Sequence, residues 1–314
     1  DGPVDYSTPG RAPGEYVLGE VPSKDGTTHA IVLVCSSVGE NLAASRVTLL
    51  LERFPKVESV LMVGIAGAVP DPTKPEHDVR LGDVVVSDSN GVKQYDFEKD
   101  VLKEGEVTKE SRFPPRPPGA RLLDAATDLQ RLGLRGEHPW KAHFERAAKL
   151  QWTRRPTELD ELHDAEDPKS IVARPQRVGS HTPLVFHGSI ASANKLLKNA
   201  KLREEIRKKY NVKAAEMEAA GVADAAWLAN TGYFVVRGTC DYCDEFKSDP
   251  WQGYASMIAA AYARALLERM RSASPALVEA AEGARSGLPA GASQAVHNNA
   301  PIGQQINNQG NIVL

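Results

Sequence analysis

Three short segments carry residues whose types and spacing could do chemistry. In the first, Glu216-Met217-Glu218, two carboxylates flank a methionine within a run of Ala and Gly. A carboxylate can accept both hydroxyl hydrogens of a ribose, and a thioether can pack on the sugar face. The same pair also suits a helix start, where negative charge meets the positive end of the dipole. The pattern assigns Glu218 to a ligand and leaves Glu216 open between ligand and cap. The second segment, Arg237-Gly238-Thr239-Cys240-Asp241-Tyr242, puts an acid directly after an apolar run. A purine cut from ribose departs as an anion, a poor leaving group. A positioned carboxylic acid that protonates it at N7 accelerates departure, typically by about 10² to 10⁴. A loop aspartate making an Asx-turn is the bland alternative. The third, Gly64-Ile65-Ala66-Gly67, would let backbone approach a sugar or anion closely, or would simply turn the chain.

These segments need elements that bring them together. Residues 29–35 (HAIVLVC) read as a strand buried on both faces, followed by a helix with Ala43, Ala44, Val47, Leu50 and Leu51 at helical spacing. Residues 59–65 and 81–86 read as two more strands, so strand, helix and strand imply a right-handed βαβ unit. The middle holds FPPRPP at 113–118, which excludes helix and central strand. Amphipathic helices are expected at 121–132 and 138–150, then an irregular loop to 177. Further on come a strand at 184–188, a charged surface helix at 192–210 and a helix at 219–229. A buried strand at 233–237 and an Ala-rich closing helix at 250–270 complete the pattern. The expected fold is α/β: a central, mostly parallel twisted sheet flanked by helices, with its ligands at strand ends.

The domain reading is a catalytic domain over residues 1–270, with a helical and loop insertion at about 100–182. A linker rich in Ala, Ser, Gly and Pro follows at 271–297, then an uncharged Asn/Gln-rich tail at 298–314. Such a tail is usually disordered; its Ile and Val beside Asn and Gln also suit stacked strands. That option implies self-association through the tail, or pairing with a partner sensor protein. A net charge of −3 speaks against a nucleic-acid polymer as partner. No run approaches a membrane span. Three cysteines, Cys35, Cys240 and Cys243, point to a reducing compartment, hence the cytoplasm. The lone Cys240-x-x-Cys243 lacks the further ligands of a zinc site, and neither metal nor cofactor is expected.

The stretches VLMVGIAGAV, RLGDVVVSD, GSIASANKLLKN, KAAEMEAAGVA, VVRGTCDYCD and WQGYASMIAAAYARALL occur in this order within residues 29–270. Together they resemble the purine-nucleoside phosphorylase and methylthioadenosine/S-adenosylhomocysteine nucleosidase superfamily. They are most similar to its members that serve as effector domains of multidomain defence-type proteins. The resemblance implies that Glu218 holds the ribose hydroxyls, Asp241 protonates the purine, Met217 packs on the sugar and Glu216 supports the pair. Gly64, Ile65, Ala66, Gly67, Leu196 and Cys240 then line the substrate site. Leu196 falls where nucleosidases often place a Phe against the base. Met62 and Ile65 fall where bacterial phosphorylases often carry an Arg and a Ser for phosphate, which favours water as the nucleophile. The family's first strand has no clear counterpart here, and residues 1–28 resemble what normally follows it.

The expected function is hydrolysis of a purine nucleoside or nucleotide, ATP-like among the options, by a homo-oligomer that releases free base. A phosphorylase is the alternative among enzymes, and a nucleotide-binding or assembly module without catalysis is the alternative outside them. For phosphates on the substrate, the candidate cations are Arg46, Arg154, Arg155, Arg177, His181 and Lys195.

Overall fold

A computed structural model describes residues 16–271, except 104, 148, 150–153, 158, 178–181 and 248. The expected tail at 298–314, the linker beyond Arg271 and His181 lie outside the described residues. In chain order the first elements are β1 (Val17–Pro22), β2 (Thr28–Leu33), α1 (Glu40–Arg53), β3 (Ser59–Ala68), β4 (Val84–Val86) and β5 (Val92–Gln94). A hairpin follows, β6 (Glu98–Lys103) and β7 (Glu106–Ser111), then α2 (Ala120–Leu134) and α3 (Trp140–Ala147). The second half contains β8 (Val185–His187), β9 (Ser189–Ser192), α4 (Ala200–Tyr210) and β10 (Val212–Glu216). It closes with α5 (Ala219–Leu228), β11 (Gly232–Asp241) and α6 (Gln252–Arg269).

Seven strands form the main sheet in the order β5-β9-β10-β3-β11-β4-β8. Four pairings are parallel: β5 with β9, β9 with β10, β3 with β11 and β4 with β8. The two antiparallel pairings are β10 with β3 and β11 with β4. The central pair, β3 and β11, consists of continuous apolar runs because helices cover both faces. Val60 and Met62 of β3, with Tyr233 and Val235 of β11, share one core with α1 and α5. Leu61, Val63, Phe234 and Val236 point the other way, into a core with α2, α3 and α6. Helix α6 lies very close to the sheet: a Cβ added at Gly238 would collide with the Ala255 carbonyl oxygen.

The sequence expectation for 29–35 is corrected. Strand β2 pairs antiparallel with β1 in a separate two-stranded sheet, so no βαβ unit joins it to β3. Its apolar run is covered on one side only, and Leu33 is 51% exposed. His29 anchors the ribbon, with Nε2 lying 3.1 Å from the Leu267 carbonyl and 3.0 Å from that of Met270. The segment at 192–210 is also corrected. Its first residue, Ser192, ends β9, and α4 starts only at Ala200, where the Asn199 side chain accepts the Leu202 N–H at 3.1 Å. In the middle, the β6–β7 hairpin turns through Gly105 at φ +85°, and α2 supplies Leu122, Ala125, Ala126 and Leu129 to the second core.

Candidate active site

One cavity of about 470 Å³ opens where β3, β10 and β11 meet. Strand β3 contributes Gly64, Ile65, Ala66 and Gly67; the end of β10 contributes Glu216, with Met217 and Glu218 directly after it. From β11 come Cys240 and Asp241, and the loop after β9 adds Leu196, which is 54% exposed at the rim. All ten residues singled out from the sequence therefore face one space. Their convergence follows from strand order, because β3 lies between β10 and β11.

The two glutamates have different surroundings. The Glu216 carboxylate accepts the backbone N–H of Glu218 at 3.0 Å and of Ala219 at 2.9 Å, so it caps the start of α5. It also pairs with Arg237, a buried guanidinium whose Nη2 lies 3.2 Å from Glu218 Oε2 and 3.3 Å from Met62 Sδ. Glu218 stands at the N-cap position but makes no side-chain cap bond. Its Oε1 accepts the Gly39 N–H at 3.3 Å. Burial first, then the neighbouring Glu216 charge, push its pKa up, against the opposing pull of Arg237. Glycine at position 64 leaves the Arg237 guanidinium its place, since a Cβ there would overlap it and displace it from the two carboxylates. Arg237 was not singled out by type or spacing; only its register opposite Gly64 on the neighbouring strand brings it to the carboxylates.

Asp241 is 3% exposed. Its Oδ1 accepts the Cys243 N–H at 2.9 Å, and its Oδ2 lies 2.7 Å from Lys247 Nζ. Burial alone would lower the Lys247 pKa, but the Asp241 carboxylate outweighs it and the net shift is upward. The register of β11 against β3 slips here: Thr239 faces Ala66 and Asp241 faces Gly67, leaving Cys240 as the extra residue of a bulge. Both Cys240 and Asp241 consequently line the cavity. Gly67 leaves room for Asp241 and Cys243, because a Cβ there would stand 2.7 Å from Asp241 Oδ1 and would overlap the Cys243 sulfur. Lys247 is a second residue that the sequence did not mark: a lone loop lysine carries no pattern.

Of the cations considered for phosphates, Lys195 lines the cavity, with its ammonium 5.5 Å from the Tyr95 ring centroid. Arg177 does not. It is committed to Asp83, with Nη1 at 3.0 and 2.8 Å from the two carboxylate oxygens, which corrects its assignment. Arg155 stacks over Trp251 at 5.0 Å, and neither it nor Arg46 or Arg154 lines the cavity.

Beneath the site, Glu40 is 5% exposed and accepts Ser192 Oγ at 3.0 Å and Gln94 Nε2 at 2.8 Å. Burial pushes its pKa up to about 8 in spite of the Ser192 hydrogen bond. A carboxyl raised in the folded state adds stability that is full below its unfolded value and is lost as pH rises through the folded value. Glu40→Gln, with the Gln94 amide flipped to accept, is therefore expected to flatten the fall in Tm between the ordinary glutamate value of 4.5 and about 8. Melting curves of both proteins across that window check it; parallel curves would mean that Glu40 titrates normally.

The Phosphorylase superfamily profile matches residues 4–272. The chain belongs to that superfamily. A nucleotide-binding leucine-rich repeat (NLR)-like protein of Hyaloscypha variabilis is 32% identical over 283 residues, covering 85% of this chain and 27% of that protein. ATP nucleosidase Cap17 of Escherichia coli is 28% identical over 241 residues, covering 76% of this chain and 41% of Cap17. The chain thus spans between a quarter and a half of the length of these two relatives. Among solved structures, a 5′-methylthioadenosine/S-adenosylhomocysteine nucleosidase from Neisseria meningitidis is similar at TM-score 0.51 and 20% identity. The match covers 82% of this chain and 87% of that one, and it supports the fold. Among the described residues, no helix is long and apolar enough to cross a membrane.

Proposed function

We propose that this superfamily member hydrolyses the N-glycosidic bond of a purine nucleoside or nucleotide and releases free base, as the effector domain of a defence-type protein. The observation that carries the reading is the shared cavity of Glu218 and Asp241, a sugar-binding carboxylate and a buried acid on neighbouring walls. Glu218 accepts the ribose hydroxyls while Arg237 fixes its direction. Met217 lies against the sugar. As the C1′–N9 bond breaks, the electron pair leaves with the purine, which takes a proton at N7 from Asp241. Lys247 stands behind that acid as its proton reservoir. Water forms the new bond at C1′, and the proton it releases restores the acid pair, so the balance closes.

Two findings favour a nucleotide such as ATP. Cap17 is named for ATP, and the rim of this cavity carries Ser36, Ser37 and the ammonium of Lys195, all suited to phosphate oxygens. A phosphorylase reading draws support from the superfamily itself. Against it, the cavity presents Met62 and Ile65 where phosphorylases often present Arg and Ser. The test is a panel of adenine and guanine nucleosides and nucleotides in phosphate-free buffer, assayed for free base. Release of base with free ribose or ribose 5′-phosphates is expected. A strict need for inorganic phosphate, with ribose 1-phosphate as product, would transfer the protein to the phosphorylase class, and no release at all would leave a binding module.

A further inference from the structure

The wall that carries Asp241 lies where the sheet stops supporting the chain. Pairing of β11 with β3 ends at Asp241 opposite Gly67, and pairing of β11 with β4 ends earlier, at Gly238. The turn that follows, from Tyr242 to Lys247, puts Cys243 and Lys247 into the cavity and is held from outside the sheet. On one side, Arg203 Nη1 of α4 donates to the Tyr242 carbonyl at 2.9 Å, and the Asn199 N–H donates to that of Cys243 at 2.7 Å. On the other side stand residues 160–174 of the middle insertion, a segment outside the helices and strands given above. It closes on itself: the Val172 N–H donates to the Leu162 carbonyl at 2.8 Å, and the Asp164 N–H to that of Ser170 at 2.9 Å. Leu162, 2% exposed, roots it in the same core that holds the Tyr242 ring.

This segment grips the turn at two points. The buried Tyr242 hydroxyl donates to Asp160 Oδ1 and accepts from Arg174 Nη1, side chains 82 and 68 residues away in the chain. Arg174 is itself fixed by Asp78, whose Oδ1 accepts Nε at 2.9 Å and Nη2 at 2.6 Å. At the far end, the His163 ring stacks on Phe246, with centroids 3.8 Å apart and planes 22° from parallel. Tyr242 directly follows Asp241 in the chain and Phe246 directly precedes Lys247, so the two grips bracket the Asp241–Lys247 ion pair. A buried phenol needs a hydrogen-bond partner, but one acceptor would satisfy it. A proton donor acts only within a narrow geometry, which side chains locked by their neighbours maintain. We infer that residues 160–174 clamp the turn and so aim the acid, with Asp160, Arg174 and His163 as positioning residues. The inference rests on the reading of Asp241 as the acid.

Tyr242→Phe releases the first grip without stranding a charge, because Asp160 and Arg174 stand 3.6 Å apart and can pair directly. His163→Ala removes the second, and His163→Phe restores a ring. Both lose the 2.8 Å contact of Nδ1 with the Pro168 carbonyl, so their difference isolates the stack. The experiment pairs hydrogen-exchange mass spectrometry of the full chain, without ligand, with steady-state base release. Exchange at 242–247 should quicken by about tenfold in Tyr242→Phe and in His163→Ala, the scale of one lost hydrogen bond or ring contact. In the same two variants kcat should fall by about tenfold or more while KM stays within about twofold, and His163→Phe should recover both readouts. A segment that only stabilised the fold would lower Tm and leave kcat per folded molecule unchanged. Unchanged exchange in both variants overturns the clamp. Faster exchange with wild-type kcat overturns its role in aiming the acid, as does a loss of rate shared by His163→Ala and His163→Phe. If the wild type releases no base, the reading of Asp241 as the acid fails, and exchange at 242–247 alone decides whether the insertion holds this turn.

Discussion

Asp241→Asn is expected to keep the fold and lose cleavage by about 10² to 10⁴, the range for removal of a positioned general acid. The amide oxygen can still accept the Cys243 N–H, which now bonds Oδ1 at 2.9 Å, so the loop geometry has reason to persist. What changes is the other oxygen. Replacing Oδ2 by an NH₂ puts two donors face to face where Lys247 now pairs at 2.7 Å, and neither can hand a proton to N7 through a carboxyl. Under the proposed mechanism substrate affinity should alter little, since Asp241 would act on the departing base more than on the bound ground state. Single-turnover base release, with Tm as the control for folding, decides the matter. Turnover within tenfold of wild type would assign the acid to another residue.

Arg237→Met is expected to be the most destabilising change in the site, at about 3–5 kcal/mol. The guanidinium is the shared counter-ion of Glu216 and Glu218, and its removal leaves two carboxylates close together in a buried wall. For a chain of this length that corresponds to a fall in Tm of roughly 10 °C. The sign with pH follows from Glu218, whose pKa is already raised by burial and by Glu216 and is lowered only by Arg237 among nearby charges. Without Arg237 it rises further. The variant is then least impaired well below the ordinary glutamate value of 4.5, where Glu218 is protonated in both states, and loses stability as pH climbs through the raised folded value. Thermal melts from acid to neutral pH test this. A deficit that does not change with pH would mean lost packing rather than an unbalanced charge.

The legible parts of this molecule were those where one residue type leaves few options. Glu218 and Asp241 stood out because a carboxylate beside an apolar strand needs a reason, and Gly64 and Gly67 because glycine marks close approach. Strands β3 and β11 were readable since burial on both faces requires unbroken apolar runs. The same rule misled at β2, where a similar run is covered on one side only and completes a ribbon with β1. Strands β5 and β9 are three and four residues long, too short for periodicity to register. The β6–β7 hairpin is built from exposed charged residues that read as loop. Arg237 and Lys247 escaped for a different reason. Their meaning lies in a neighbour 21 residues away for Arg237 and in a loop closure for Lys247, and no local pattern encodes either.

The bulge at Cys240 makes the aim of the acid a matter of counting. Strand side chains alternate between faces, so parity along β11 decides which groups look into the cavity. One surplus residue between Thr239 and Asp241 resets that parity just before the acid. Side-chain identity at Cys240 is secondary to its presence, so exchange for another small residue is a local packing matter. Deletion of that single position would reverse the facing of everything after it and re-aim the carboxyl. In this chain, therefore, a change of length next to Asp241 re-registers the strand end, whereas a change of side chain there does not.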